Sequence, residues 1–240
     1  MTFARLAGAL CLLLFAEAAL AQSAYLPAGR NATVIEASYF RIDGFDGYGA
    51  GIGYDMLGAM AFGFRYDKIS RIGLQDIAWD DFDESTIAPF ASVLAFRPAP
   101  GFPVGAEATV AYTFSQFDGE HVDAIDQEAR GSALNLGLEL LARWEPFDGL
   151  RLWPRVSGDW YAWSIDGQVA ALDVDRNEEI DEIEIFDVDD LSQYAWSAGV
   201  GIQIAEKLVL SIDRVEYELQ DPVYRLAFVA LYIQEDDWWN

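Results

Sequence analysis

The chain is poor in cysteine, histidine and basic residues, and each shortage excludes something. Its one cysteine, Cys11, lies in an N-terminal segment that reads as removable, so the remainder has no disulfide, no thiol chemistry and no cysteine metal site. The one histidine, His121, rules out a His-rich metal motif. Lys and Arg number 15 against 40 Asp and Glu, a formal charge of −25, which excludes nucleic acid as a partner because phosphates would be repelled. Past the N-terminus no stretch holds the ~18 uninterrupted apolar residues of a spanning helix. Neither a Gly-x-Ser-x-Gly elbow nor a Walker loop is present.

The N-terminus is built like a secretory signal. Arg5 supplies a short basic region, residues 6–16 an apolar one, and Ala19-Leu20-Ala21 a small-residue cleavage site. The expectation is a signal peptide over 1–21, cleaved before Gln22, and one barrel domain over 22–240, with no peptidoglycan-binding domain after it. The alternative is a retained membrane anchor, which the short apolar region disfavours.

What the chain has is alternation. Ten strand-like stretches lie between residues 33 and 234. In 132–145, Leu134, Leu136, Leu138, Leu140, Ala142 and Trp144 share one face, and Asn135, Gly137, Glu139, Arg143 and Glu145 the other. In 104–115, Val104, Ala106, Ala108, Val110, Tyr112 and Phe114 alternate with Gly105, Glu107, Thr109, Thr113 and Ser115. Met60, Phe62, Phe64 and Tyr66 oppose Gly63, Arg65 and Asp67, and Tyr194, Trp196, Val200 and Ile202 oppose Gln193, Ser197 and Gln203. A period of two puts each set on one face of a sheet. Every second connection is short: 56–58, 97–103, 146–149 and 205–207. The long ones, 71–85, 118–131 and 166–190, are acidic and all fall at the other end, where 43–47 and 220–222 are short as well. Tight turns at one end and long loops at the other describe an all-β, antiparallel, up-and-down transmembrane β-barrel with its long loops on the extracellular side.

Periodicity alone does not say which face is inside. The polar face is rich in Gly, Ser, Thr and charges of both signs, as a crowded lumen requires. The apolar face runs about nine to eleven residues per strand, the span of a tilted transmembrane strand. Trp144 and Trp153 flank one end, and Trp79, Trp160, Trp163 and Trp196 lie towards the other, as in a double aromatic girdle. On these features the chain resembles the small outer-membrane β-barrel proteins of Gram-negative bacteria, the group that includes the OmpA- and OmpW-like barrels. The resemblance implies integral residence in the outer membrane, contact with its lipid and lipopolysaccharide, and insertion by the barrel-assembly machinery. Such barrels usually end on an aromatic residue; here Trp238-Trp239 is followed by Asn240. Ten strands are expected, with eight as the alternative, because 207–219 and 223–234 form a terminal hairpin around Gln220-Asp221-Pro222. The lumen is expected to hold Glu36, Asp55, Arg65, Asp67, Glu107, Glu139, Arg143, Arg151, Arg155, Asp159 and Arg225, a mixture of signs that reads as a salt-bridged plug.

The sharpest local pattern lies in loop 166–190, which has eleven acidic residues and one Arg. Asp173, Asp175 and Asn177 match positions one, three and five of an EF-hand calcium loop. Glu179 matches seven through its carbonyl, Asp181 nine, and Glu184 the bidentate twelve. Glu178 stands where that loop uses glycine for its turn. The expectation is Ca2+ at this loop and no other cofactor; the alternative is a solvated acidic hairpin tip. Asp76, Asp80, Asp81, Asp83 and Glu84 form a second acidic cluster. Near anionic lipopolysaccharide divalent cations would bridge the like charges; the alternative is an acidic surface adapted to a salty habitat. For catalysis the one arrangement to weigh is Ser115 with His121 and its acidic neighbours Glu120, Asp123 and Asp126, a rim site of hydrolase type. The sequence favours a non-enzymatic barrel with a structural or surface-interaction role. The alternatives are a narrow channel for small solutes and, behind it, an enzyme around His121.

Overall fold

The computed structural model describes residues 23–42, 45–72, 79–99, 101–121, 127–166, 168–174, 180–187, 191–218 and 222–234. Thirteen strands follow a short 3-10 turn at Ser23–Tyr25: β1 (Ala32–Ile42), β2 (Phe45–Met56), β3 (Met60–Ile72), β4 (Trp79–Phe96), β5 (Val104–His121), β6 (Gln127–Ala142), β7 (Trp144–Phe147), β8 (Leu150–Asp166), β9 (Gln168–Val174), β10 (Ile180–Asp187), β11 (Leu191–Ile204), β12 (Leu208–Tyr217) and β13 (Val223–Ile233). Each barrel strand pairs antiparallel with its chain neighbour. The ring closes where β1 meets β13, from Ala32↔Ile233 to Arg41↔Tyr224, and where β8 meets β11. The result is a closed ten-stranded antiparallel barrel. Closure leaves no unpaired edge in the ring. β7 is a short addition at one turn, and β9 with β10 forms a separate hairpin.

The short turns are built for their end. Between β2 and β3, Leu57 and Gly58 both have φ near 61°, and Ala59 N–H donates to the Met56 carbonyl at 3.1 Å. Two consecutive left-handed residues make the mirror-type turn that matches strand twist. Leu57 accepts that conformation because its N–H donates to Asn31 Oδ1 at 2.8 Å. Ala205 and Glu206 repeat the device between β11 and β12.

The expected long loops are shorter than their spacing implied. β3 and β4 stay paired as far as Ile72↔Asp81, and β5 and β6 as far as Gly119↔Gln127. Much of 71–85 and 118–131 is therefore strand. Backbone ladders continue wherever both chains can pair, and acidic side chains do not prevent it where they have room.

The faces sort as the alternation requires. Ile52, Phe62, Phe64, Ile87, Val110, Leu136, Leu138, Val156, Ile212 and Phe228 stand outside, exposed. Glu36, Arg65, Asp67, Glu107, Glu139, Arg155, Asp213 and Arg225 are buried inside. Trp144 and Phe147 are exposed outside at the short-turn end, and Tyr194, Trp196 and Tyr224 outside in the other half. Trp153 and Trp163, expected in the girdle, turn inward and are buried. They share the lumen-facing parity of Arg155 on β8, and a tryptophan at a strand end satisfies the girdle pattern whichever way it points. The Trp79 side chain lies outside the described residues.

Candidate functional site

The site is the lumen, and glycine shapes its wall. Three times an inward glycine pairs directly with an inward aspartate on the next strand: Gly49↔Asp67, Gly137↔Asp159 and Gly199↔Asp213. A methyl group on any of the three would collide with the aspartate Oδ1. The carboxylates lie flat over bare backbone, where larger residues would push them into the lumen. Phe40 uses Gly47 in the same way, its ring covering the registered glycine.

Above these niches runs a charged band. The Arg155 guanidinium grips Asp213 with two bonds, Nε to Oδ1 at 2.8 Å and Nη2 to Oδ2, and stands 4.0 Å from Glu139. Arg225 donates to Glu36, and Arg65 Nε to Asp67 at 3.0 Å. Ser92 Oγ donates to Glu107 at 2.5 Å, and Ser157 Oγ to Asp159 at 2.9 Å. Bonded pairing is what makes ions tolerable away from water. Among the described residues the buried charges are seven carboxylates (Glu36, Asp55, Asp67, Glu84, Glu107, Glu139 and Asp213) against three guanidiniums, Arg65, Arg155 and Arg225.

The expected lumen set holds in the main, with Asp159 half-buried. Arg143 is a correction, while Arg151, opposite buried Gln203, keeps the lumen-facing parity at the barrel's end. They sit at the short-turn rim, where Arg143 donates to Glu145 at 2.6 Å and Arg151 to Glu206 at 2.6 Å. The strand ends there, so their long side chains reach rim carboxylates. Glu84 is a second correction: it belongs to β4 and is buried in the lumen, not part of an exposed acidic cluster. Asp213 escaped notice because β12 carries apolar residues on both faces, Val209 and Val215 inside, Leu210 and Ile212 outside. Its one signal was shared parity with Ser211.

No pattern in the sequence points to what fills the short-turn end. Ser23, Ala24, Tyr25 and Leu26 are all buried there, in an apolar cluster with Val34, Phe90, Leu141, Trp153, Val209 and Leu231. Tyr25 packs edge-on to Trp153, with ring centroids 5.3 Å apart. Its hydroxyl accepts from Arg155 at 3.0 Å and its carbonyl from Gln203 Nε2 at 2.9 Å. Arg97, in the turn after β4, donates to the carbonyls of Leu26 and Gly58, and to that of Ser23 at 3.4 Å. Burial lowers its pKa from the ordinary value, and the neighbouring Asp55 and Glu107 oppose that shift.

Three of the expected calcium ligands stand on the β9–β10 hairpin. Asp173 is in β9 and pairs with Glu182, while Asp181 and Glu184 are in β10, Glu184 opposite Ala171. Asp175, Asn177 and Glu179 lie outside the described residues, as do the side chains of the other three. Among the described residues no three His, Cys, Asp or Glu side chains gather as a metal site. The rim dyad is not assembled: Ser115 faces the lumen, and His121 ends the same strand six residues on, roughly 20 Å away at ~3.3 Å per residue. The His121 side chain, Asp123 and Asp126 lie outside the described residues, as do residues 1–22 and Trp238 and Trp239.

No protein-family model and no curated protein matches the chain. Among solved structures it is similar to the beta domain of the Bordetella autotransporter BrkA, at 11% identity and a TM-score of 0.45, covering 86% of this chain and 99% of that one. It is similar also to an outer membrane channel from Pseudomonas putida, at 12% identity and a TM-score of 0.42, covering 86% and 97%. A third is Neisserial surface protein A, at 9% identity and a TM-score of 0.35, covering 85% and 97%. Values this low add nothing to the barrel that the strand pairing already defines.

Proposed function

We propose that the protein is an integral β-barrel of a Gram-negative outer membrane whose lumen is closed and whose work is done at its outward end. The observation that carries this reading is the inversion of the barrel: a closed ring apolar outside, and inside a filled, ion-paired lumen sealed at one end by residues 23–26. An exterior of that kind is stable in hydrocarbon and a liability in water. The signal-like segment 1–21 supports export, and the barrel-assembly machinery then inserts the chain among lipid and lipopolysaccharide.

The function is structural or surface-interacting, and non-enzymatic. The β9–β10 hairpin and the acidic connections at its end meet the anionic lipopolysaccharide surface. Divalent cations bridge the two, with Ca2+ taken by Asp173, Asp175, Asn177, Glu179, Asp181 and Glu184 as the specific form. The test has two arms. The purified wild-type barrel in planar bilayers should show no steady conductance. Protease added to intact cells should cut within 166–190 and spare the 146–149 turn. A steady open pore, or cleavage at 146–149 in intact cells, overturns the reading.

A further inference from the structure

We infer that residues 23–26 are a displaceable plug, and that the lumen they close is a path for monovalent cations. The inference takes the closed lumen as its starting state and adds a second activity to it.

Four observations lead there. The segment is not part of the wall. β1 begins at Ala32, and the sheet closes through β1 and β13 without residues 23–31. Removing the segment therefore breaks no barrel ladder.

Its attachments come from the turns as well as from the wall. Arg97 holds the carbonyls of Leu26 and Ser23, and Gly29 N–H donates to the Leu57 carbonyl at 2.8 Å. Gln203 and Arg155 hold Tyr25 from the wall. Several separate hydrogen bonds, each worth about 0.5–1.5 kcal/mol net, or about 1.5–3 from a charged group, join the burial of Tyr25 and Leu26 in holding the segment, and because none belongs to the barrel ladder the attachment is a reversible latch.

The segment is the obstruction. Around it the wall offers Ala32, Ala111, Val34 and Val209 on one hand and the larger Phe90, Leu141, Trp153 and Leu231 on the other, all buried in one cluster with Tyr25 and Leu26. An apolar constriction of this kind keeps water out, and with it ions. Take away the phenol ring and the leucine, and the cluster loses the two side chains that do not belong to the wall, leaving a gap beside Ala32 and Ala111.

The path beyond it has a sign. Seven buried carboxylates face three buried guanidiniums, and Arg97 at the floor adds only one more cation. Asp55 adjoins Ser23 and Arg97, and Glu107 adjoins Ala24, so carboxylates flank the plug itself. The arginines are already engaged, Arg155 with Asp213 and Arg225 with Glu36. With the plug out and water in the lumen these acidic side chains regain their hydration and ionise, and their excess over the arginines makes the path negative, which repels anions and stabilises small cations. The described residues form no compact multi-carboxylate site, so cations would pass and not lodge.

The test compares three proteins in planar bilayers under a KCl gradient: wild type, a deletion of residues 23–29, and Tyr25→Gly/Leu26→Gly. A fourth arm places the sole thiol at Leu26→Cys in a Cys11→Ser background, with and without Arg97→Ala, and measures its modification by a water-soluble reagent. Folding of each is checked by its β-sheet circular dichroism. Wild type should be closed and both plug variants should conduct, with a reversal potential displaced towards that of K+. The thiol should react at least tenfold faster once Arg97 is gone. If folded plug variants stay as silent as wild type, the plug inference fails and the closed-barrel reading stands. Equal steady conductance in all three refutes both. An anion-selective current refutes the charge argument. Should the deletion fail to fold, the double glycine variant and the thiol rates decide, and an unchanged rate overturns the latch.

Discussion

Leu138→Arg tests the orientation of the whole barrel with one residue. Leu138 stands outside on β6, 52% exposed, paired with Ala108 and Gly158. Trp144, six residues on, is exposed at the short-turn end. A strand rising ~3.3 Å per residue and tilted about 40° climbs roughly 2.5 Å per residue along the axis, which sets Leu138 about 15 Å from the tryptophan's level. The apolar band of such a barrel is about 25 Å tall, so Leu138 lies close to its middle. Arginine there should destabilise folding by about 2–4 kcal/mol, against about 0–1 kcal/mol near the interface. Leu134→Arg, roughly 10 Å further along, should cost at the low end. The assay is urea unfolding in lipid vesicles, followed by tryptophan fluorescence, with wild type, Leu138→Arg and Leu134→Arg measured in parallel. In a water-facing barrel, half-exposed Leu138 would take arginine within about 0.5 kcal/mol. An unchanged midpoint for Leu138→Arg, or equal losses for both variants, refutes the lipid-facing assignment.

Gly199→Ala should destabilise by about 1–3 kcal/mol, because the new methyl displaces the Asp213 carboxylate from Arg155; Gly158→Ala, with open space around its Cβ, should be neutral or slightly stabilising, and equal effects in urea melts would refute the glycine niches. Arg143 beside Glu145, seconded by Arg151, holds that carboxyl below its ordinary value of 4.5, so the cluster's contribution is full above 4.5 and fades as pH falls through the depressed value. Carboxyl NMR should give a Glu145 midpoint below 4.5 that rises in Arg143→Gln; a midpoint at or above 4.5 in the wild type rejects the pairing. Glu184→Gln should weaken calcium binding in calorimetry more than Glu182→Gln, and Glu178→Gly should tighten it. Equal weak binding in all, tracking total acidic charge, would leave only a diffuse acidic surface.

The sequence by itself determined that the chain is built of strands with two unlike faces, while the choice of ten strands over eight waited for the ring to close. Period-two alternation is a local property, so Leu134 to Leu140 on one side and Asn135 to Glu139 on the other needed no partner to be legible. The short turns were equally local, since chains reverse where alternation breaks. Which acidic residues stay paired in a ladder was not local. Glu84 looked like loop because it stands in an acidic run, yet β3 and β5 on either side carry its strand on into the lumen. Trp153 and Trp163 looked like girdle residues until register fixed their parity. The niches over Gly49, Gly137 and Gly199 depend on which strand lies alongside, and that is set only when the ring closes. The same closure creates the floor at the short-turn end. Residues 23–26 show no periodicity, and nothing in Ser-Ala-Tyr-Leu announces a plug. They are buried because two turns and the base of the barrel meet around them, and only the tertiary structure brings Arg97, Arg155 and Gln203 to one short segment.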